Sequence, residues 1–456
     1  MKKQPPLKRN DDIEITIDAL GSEGQGIGRL DGYTVFVDGA LPNERVLVHI
    51  IKPMPSYAIG KLIQVLEPSE SRIEEPCGVS KRCGGCTLQH LDYDAQLEFK
   101  RQRVADAFER IGGFKDISVQ PCIGMQHNTG YRNKASFPCA MIDGVVEMGF
   151  YAKNSHRLIP IDDCMLQQSE SIASMRIVRE WANIYNITAY DEQTKKGVLR
   201  HVMVRTTTLG QTMVVIVTTG LLPHKDELID MLISNVLSIE SVVHNINPKN
   251  TNVILGERFN TIYGMPTVTE RICDLDFEVS AASFLQVNPI QTELLYGKVL
   301  EFAALCETDT VLDVYCGIGT ISLMLARHAD FVYGIEEVAE AISDAKRNAL
   351  RNAITNADFR CGKAEDILPN MIGEGISADC IVIDPPRKGC DEAVLSAIAE
   401  SGARRVVYVS CNPATLARDS KLLAENGYVP STIQPVDMFP WTSHVETIVL
   451  LQRETL

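Results

Sequence analysis

The chain has 456 residues, 45% apolar and 23% charged, an ordinary mix for a globular protein with enough apolar material to exclude wholesale disorder. No uninterrupted apolar stretch approaches the roughly 18 residues of a membrane span, which excludes an integral helical membrane protein. A formal charge of −15 argues, taken alone, against a nucleic-acid partner, yet residues 1–75 carry −3, 76–210 carry +3 and 211–456 carry −15, so the middle of the chain stays open to RNA.

The start, MKKQPPLKRN, is basic with no apolar segment behind it, so the cytosol is the expected compartment and most of the 13 cysteines are expected to be reduced. In residues 11–66, the runs IEITIDAL, YTVFVDG, ERVLVHIIK and YAIGKLIQVL read as strands. GSEGQGIGRLDG, GALPNE and PMPS between them are turn chemistry. Strands at such regular spacing predict a small β-barrel. EPSESRIEEP breaks the pattern, so the first domain is placed at residues 1–70.

Next comes CGVSKRCGGCTLQH, which puts three thiols on one short loop as Cys77-x5-Cys83-x2-Cys86, with Gly84-Gly85 permitting a tight wrap. Three sulfurs this close point to a metal, and the spacing leaves zinc and an iron–sulfur cluster open. A fourth ligand must come from elsewhere; Cys164, Cys122, Cys139 and His90 are the candidates. Leu91, Ala95, Leu97, Val104, Ala105, Phe108 and Ile111 fall near helical spacing, and Gly112-Gly113 stops the run. Lys81, Arg82, Lys100, Arg101, Arg103, Tyr131, Arg132 and Lys134, around the cysteines and this helix, are candidates to track phosphate or stack on unpaired bases. Strand-like runs (VLRHVMVRTT, QTMVVIVTTG, SVVHNINP) then mix with helix-like ones (SESIASMRIVREWANIY, HKDELIDMLISNVL), an α+β signature for a central domain over 71–275.

Residues 276–456 change to strand–helix alternation. TVLDVYCG, FVYGIEE, DCIVIDPP and RRVVYVSC are continuous apolar strands, as expected of a mostly parallel doubly wound α/β sheet buried on both faces. PSTIQPVDMF and HVETIVLLQ lie too close for a crossover helix and predict an antiparallel hairpin at the sheet edge. Ligands bind beyond the C-terminal strand ends of such sheets. There, Gly317 and Gly319 allow a tight turn, and Glu336 ends the next strand, where a carboxylate can accept from both ribose hydroxyls. The loop is not GxGxxG, so a nucleoside without phosphates, such as S-adenosylmethionine, fits better than a dinucleotide. Asp384-Pro-Pro-Arg387 ends a further strand; an amino-group methyltransferase would carry an aromatic in place of Arg387.

Cys411, after RRVVYVS, reaches the same surface. A thiolate beside a methyl donor is suited to adding to carbon 6 of uracil, which turns carbon 5 into a nucleophile. A base must then remove the carbon 5 proton. Glu446 is the candidate, since an apolar setting shared with Ile448 and Leu450 would raise its pKa; His444 is the rival. A small-molecule methyltransferase and a non-catalytic RNA-binding or assembly factor are the alternative functions.

SCNPATLARD, DVYCGIGT, DPPRKG, FLQVNP and FPWTSHVE together resemble the RNA uracil-5 methyltransferase family, over nearly the whole chain. The resemblance implies transfer of a methyl group from S-adenosylmethionine to uridine in RNA, with Cys411 as nucleophile and Glu446 as base. It implies cofactor contacts at Gln286, Tyr315, Glu336 and Asp384, with Thr320 a weaker candidate. It favours a [4Fe–4S] cluster on Cys77, Cys83, Cys86 and Cys164, and an N-terminal TRAM domain, an OB-like barrel. Members with both usually modify 23S ribosomal RNA, the expected partner here rather than DNA or a membrane; the transfer-RNA branch is expected to resemble the catalytic part alone.

Overall fold

The computed structural model describes residues 5–454. Strands β1 (Asp12–Leu20), β2 (Gly26–Leu30), β3 (Tyr33–Asp38), β4 (Arg45–Pro53) and β5 (Tyr57–Glu67) close into a barrel of order β1-β2-β3-β5-β4. Alternate residues of β3 and β4 (Val35 and Val37; Val46, Val48 and Ile50) are fully buried and fill it. β2 corrects the expectation of a turn across GSEGQGIGRLDG. Its glycines allow close approach within a strand: a Cβ on Gly26 would lie 2.7 Å from Ala40 O, and one on Gly28 would lie 2.6 Å from Thr16 O.

Helix α1 (Tyr93–Ala107) starts on the Asp92 cap, whose side chain accepts from Ala95 N. It widens into a π-turn over Phe108–Gly112 and stops at Gly113, with φ 76°. The buried side of α1 differs from the apolar stripe read from sequence. Gln96, Lys100, Val104 and Ala107 face inward, whereas Ile111 is exposed. Two of those inward residues are polar, so hydrophobic spacing misplaces the face.

The middle sheet has order β12-β11-β10-β9-β6-β7-β8. It comprises β6 (Lys134–Ile142), β7 (Val145–Tyr151), β8 (Leu158–Pro160), β9 (Leu199–Thr206), β10 (Thr212–Thr218), β11 (Ile239–Ile246) and β12 (Arg258–Gly264). α2 (Ser169–Ile184) and α3 (Lys225–Asn235) cover it, with α3 bridging the one parallel pair, β10 and β11. A hairpin, β13 (Thr267–Ile272) and β14 (Leu275–Ser280), leads to α4 (Pro289–Ala303) and the C-terminal sheet.

That sheet runs β17-β16-β15-β18-β19-β21-β20. Its parallel strands are β15 (Thr310–Val314), β16 (Phe331–Glu336), β17 (Ala357–Cys361), β18 (Cys380–Ile383) and β19 (Arg405–Ser410). β20 (Tyr428–Val436) and β21 (Glu446–Arg453) form the expected antiparallel hairpin, with β21 folded back beside β19. α5 (Thr320–Ala326), α6 (Ala339–Arg351), α7 (Ala364–Gly373), α8 (Glu392–Ser401) and α9 (Pro413–Ala424) cover the two faces. Strand order reverses between β15 and β18, which opens a crevice beyond their C-terminal ends.

Packing does not follow the division expected at 71–275 and 276–456. Val104, Phe108, Val119 and Cys122 belong to the core on one face of the C-terminal sheet, and Val119 and Ile123 bridge to Ile433 and Val436 of β20. The β13–β14 hairpin joins the core on the other face. Lys100 of α1 reaches the turn after β20: its Nζ donates to Asp437 Oδ1 at 2.5 Å and to Phe439 O at 3.1 Å, and both charged side chains are fully buried. Tyr93 donates to Asp437 Oδ2 at 2.9 Å. Removing one partner of such a pair leaves an uncompensated buried charge. Lys100→Met is therefore expected to lower the unfolding free energy by about 3–5 kcal/mol in urea denaturation; a loss below about 1 kcal/mol would show that Asp437 is satisfied without it.

Candidate active site and cysteine cavity

The crevice at the β15–β18 reversal is a cavity of about 660 Å³. Gln286, Tyr315, Glu336, Asp384, Cys411 and Glu446 all line it, so the structure brings together every residue singled out for cofactor and catalysis; Thr320, Arg387 and His444 line it too.

The half of the cavity beside Tyr315 and Glu336 is built by backbone geometry. Tyr315 leaves β15 with φ 71°, and Gly317 and Gly319 follow at 55° and 83°. From this turn Gly317 N donates to Glu336 Oε2 at 3.2 Å, and Val338 N, just beyond β16, donates to Oε1 at 2.9 Å. The carboxylate of Glu336 is thus fixed at the strand end. Thr320 shares a hydrogen bond of 3.0 Å with Tyr296. Beneath the loop, Asp313 accepts from Ser322 Oγ, and burial pushes its carboxyl up to about 7. Asp384 is likewise pushed up to about 7, by burial first and then by Asp313.

On the other half, Asn412 caps α9 by accepting from Ala414 N, and its Nδ2 donates to Arg387 O at 3.0 Å. Pro413 occupies the first helical turn. These bonds tie the Asp384–Arg387 loop to Cys411, which stands half-buried at the cavity wall. Burial raises the Cys411 thiol pKa, as does Glu446; the positive charge of the nearby Arg387 guanidinium opposes both. Glu446 opens β21 at 4% exposure. Burial drives its pKa well above the carboxylate range, Asp384 adds to this, and Arg387 opposes. The rival base, His444, is lowered by burial and then by Arg387 and Arg103, which keeps it neutral.

A second cavity, of about 310 Å³, lies behind the first and is lined by Cys77, Cys83, Cys86 and Cys164. The other candidate ligands stand elsewhere. Cys122 is in the core beneath α1, Cys139 is in the core of the middle sheet, and His90 is buried outside the cavity wall. Among the described residues no three Cys, His, Asp or Glu side chains converge as for one metal ion. The cavity is apolar, and its walls are shared with Gly85 and Arg132, which also line the larger one.

The candidate RNA contacts divide. Lys81 and Arg82 are exposed, and Arg132 lines both cavities. Arg101 pairs with Glu98, and Arg103 donates to Ser443 O. Lys100 and Tyr131 are corrections: Lys100 is sealed against Asp437, and Tyr131 is 3% exposed with its hydroxyl donating to Pro440 O at 3.1 Å. Neither can meet RNA. Burial lowers Lys134 to about 8. Sequence reasoning missed Phe284, an aromatic 70% exposed at the cavity wall beside Gln286; the signal was an aromatic directly preceding Leu-Gln in SFLQVN.

Residues 92–454 match the family model described as tRNA (Uracil-5-)-methyltransferase, and residues 6–63 match the TRAM domain. The chain belongs to this uracil-5 methyltransferase family. It is an S-adenosylmethionine-dependent RNA methyltransferase with an OB-like TRAM barrel. An uncharacterized RNA methyltransferase of Halalkalibacterium halodurans is 48% identical over 453 residues, 99% of each chain. Another, of Clostridium acetobutylicum, is 46% identical over 457 residues, again 99% of each. Among solved structures, the tRNA (uracil-54, C5)-methyltransferase of Pyrococcus abyssi, in complex with S-adenosyl-L-homocysteine, superimposes with a TM-score of 0.77 at 28% identity, covering 96% of this chain and 100% of that one. This corrects the expectation that a transfer-RNA enzyme resembles the catalytic part alone. No helix among the described residues is long and apolar enough to cross a membrane.

The acid cluster in this methyltransferase has a consequence for stability. The folded chain holds the Asp384 proton more tightly than an unfolded chain, whose aspartate titrates at its ordinary 3.8. The contribution is complete below that value and is lost as pH rises through about 7. Asp384→Asn is expected to flatten the decline of the urea midpoint over that interval in ligand-free protein; an unchanged slope would refute it.

Proposed function

We propose that this protein methylates carbon 5 of uridine in RNA through a covalent Cys411 adduct, with Glu446 as base. The observation that carries the reading is that the Cys411 thiol and the buried Glu446 carboxyl, brought side by side at the paired ends of β19 and β21, line one cavity together with Gln286, Tyr315, Glu336 and Asp384. S-adenosylmethionine supplies a methyl group on a cationic sulfonium. Glu336 accepts from the ribose hydroxyls, and the carboxylates of Asp384 and Glu446 suit a neighbouring cation.

The Cys411 sulfur bonds to carbon 6 of uracil, and the ring electrons pass to carbon 5. Arg387 favours the thiolate that this step needs. Carbon 5 takes the methyl group as its bond to the sulfonium sulfur breaks, which leaves the neutral thioether S-adenosylhomocysteine, and then carries both methyl and hydrogen. Glu446 accepts that proton, the carbon 5–carbon 6 double bond returns, and the sulfur leaves. A carboxylate with a raised pKa is the stronger base for this task. Phe284 offers a face on which a base turned out of the RNA can stack.

The four cysteines on one roomy cavity support a [4Fe–4S] cluster rather than a single zinc, because a lone ion needs its sulfurs converged at about 2.3 Å from the metal. Cys77, Cys83, Cys86 and Cys164 would hold it, and no step of the methyl chemistry passes through it. Anaerobic purification should give a brown protein with about four irons per chain; one zinc per chain would overturn the assignment.

For the RNA, 23S ribosomal RNA is the leading reading, and the Pyrococcus abyssi structure favours transfer RNA as a second. Labelled methyl transfer to unmodified transcripts of each separates them. With 5-fluorouridine RNA and S-adenosylmethionine, fluorine cannot leave as a proton, so a stable adduct is expected and Cys411→Ala should abolish it. Active enzyme that forms no adduct would refute the mechanism. Glu446→Gln should accumulate the same adduct on ordinary uridine, with turnover lowered by about 10²–10⁴-fold.

A further inference from the structure

Residues 437–446 leave β20 and return at Glu446. Their conformation is not relaxed. Trp441 has φ 69°, a left-handed backbone that is unfavourable for a bulky L-residue and persists only where its surroundings impose it.

The imposing groups come largely from the cysteine loop and the helix behind it. Thr87 N and Leu88 N both donate to Trp441 O at 3.0 Å. Ser443 N donates to Thr87 Oγ1 at 2.9 Å, and Trp441 N to Gln96 Oε1 at 2.9 Å. The Trp441 indole packs with Met125, Tyr131 and Leu166 against Cys86 and Cys164. Arg132, in the wall between the two cavities, lies over the Phe439 ring at 5.9 Å.

We propose that the cysteine loop is a clamp for the segment that presents Glu446, with Thr87 as its positioning residue. Metal held by Cys77, Cys83, Cys86 and Cys164 fixes residues 83–88, and these fix Trp441–Glu446. The proposal rests on the reading of Glu446 as base and adds a role for the cysteines in the timing of the reaction. Cys411 is held separately, by the Asn412 cap and the Arg387 loop. A loosened clamp therefore spares sulfur addition and methyl transfer and slows removal of the carbon 5 proton. The covalent adduct then builds up on ordinary uridine.

The test uses the full-length, metal-bound protein with S-adenosylmethionine and whichever unmodified transcript, ribosomal or transfer, it methylates. Thr87→Val keeps the side-chain shape and removes the acceptor for Ser443 N. The expected result is a fall in kcat of about tenfold with KM for RNA little changed, a Cys411-dependent adduct on denaturing gels, and recovery with Thr87→Ser. Wild-type turnover in Thr87→Val, or slowed turnover without adduct while Glu446→Gln does accumulate it, overturns the clamp. Should Glu446→Gln accumulate no adduct, the base reading fails, and the clamp is decided by hydrogen exchange on the unaltered protein. There, chelation of the metal should speed exchange across residues 441–446 and leave 411–415 unchanged. Unchanged exchange across 441–446 overturns the clamp.

Discussion

A lysine and an aspartate sealed from water, Lys100 and Asp437, set the position of everything the cavity needs from the C-terminal hairpin. Two buried charges persist because each is fully partnered: Lys100 also meets Phe439 O, while Asp437 also accepts from Tyr93 and from Phe439 N. The pair joins α1 to the point where the chain leaves β20. From there the backbone has few ways to reach β21, and it passes Trp441 and His444 before Glu446. An apolar pair of similar volume would hold the same elements together with less directional control.

The chemistry of the cavity follows from shared burial. Burial raises the pKa values of Asp384, Cys411 and Glu446; Asp384 adds to the rise at both Cys411 and Glu446, Glu446 adds to it at Cys411, and the Arg387 guanidinium opposes at those two. In the empty cavity this favours neutral forms. A cationic ligand reverses that preference, so the charge of the methyl donor and the ionisation of the groups that would use it are linked.

Much of this arrangement was legible in the sequence. The continuous apolar strands of residues 310–410 announce a doubly wound sheet, and the strand-end residues Glu336, Asp384 and Cys411 fall on one edge of it. The spacing of three cysteines marks the second cavity, and Cys164, nearly eighty residues further on, joins them only in the fold. What was not legible has a common cause. Lys100 and Tyr131 look like RNA-facing residues because side-chain type is visible in a sequence and a partner 300 residues away is not. β2 was hidden because its glycines serve close strand contact rather than a turn. β12, with no buried residue, has no apolar alternation to read.

The barrel is seated rather than tethered. Glu44, fully buried, accepts from Arg72 in the connecting segment, and Leu41 of the barrel packs with Leu88 and Leu91 beside the cysteine loop. Gly24, in the β1–β2 turn, lies against Leu88 and Ser443. A barrel wedged this firmly has little room to swing. Any RNA that spans it and the reactive cavity meets a template of set dimensions, and the entropic cost of conforming falls on the nucleic acid.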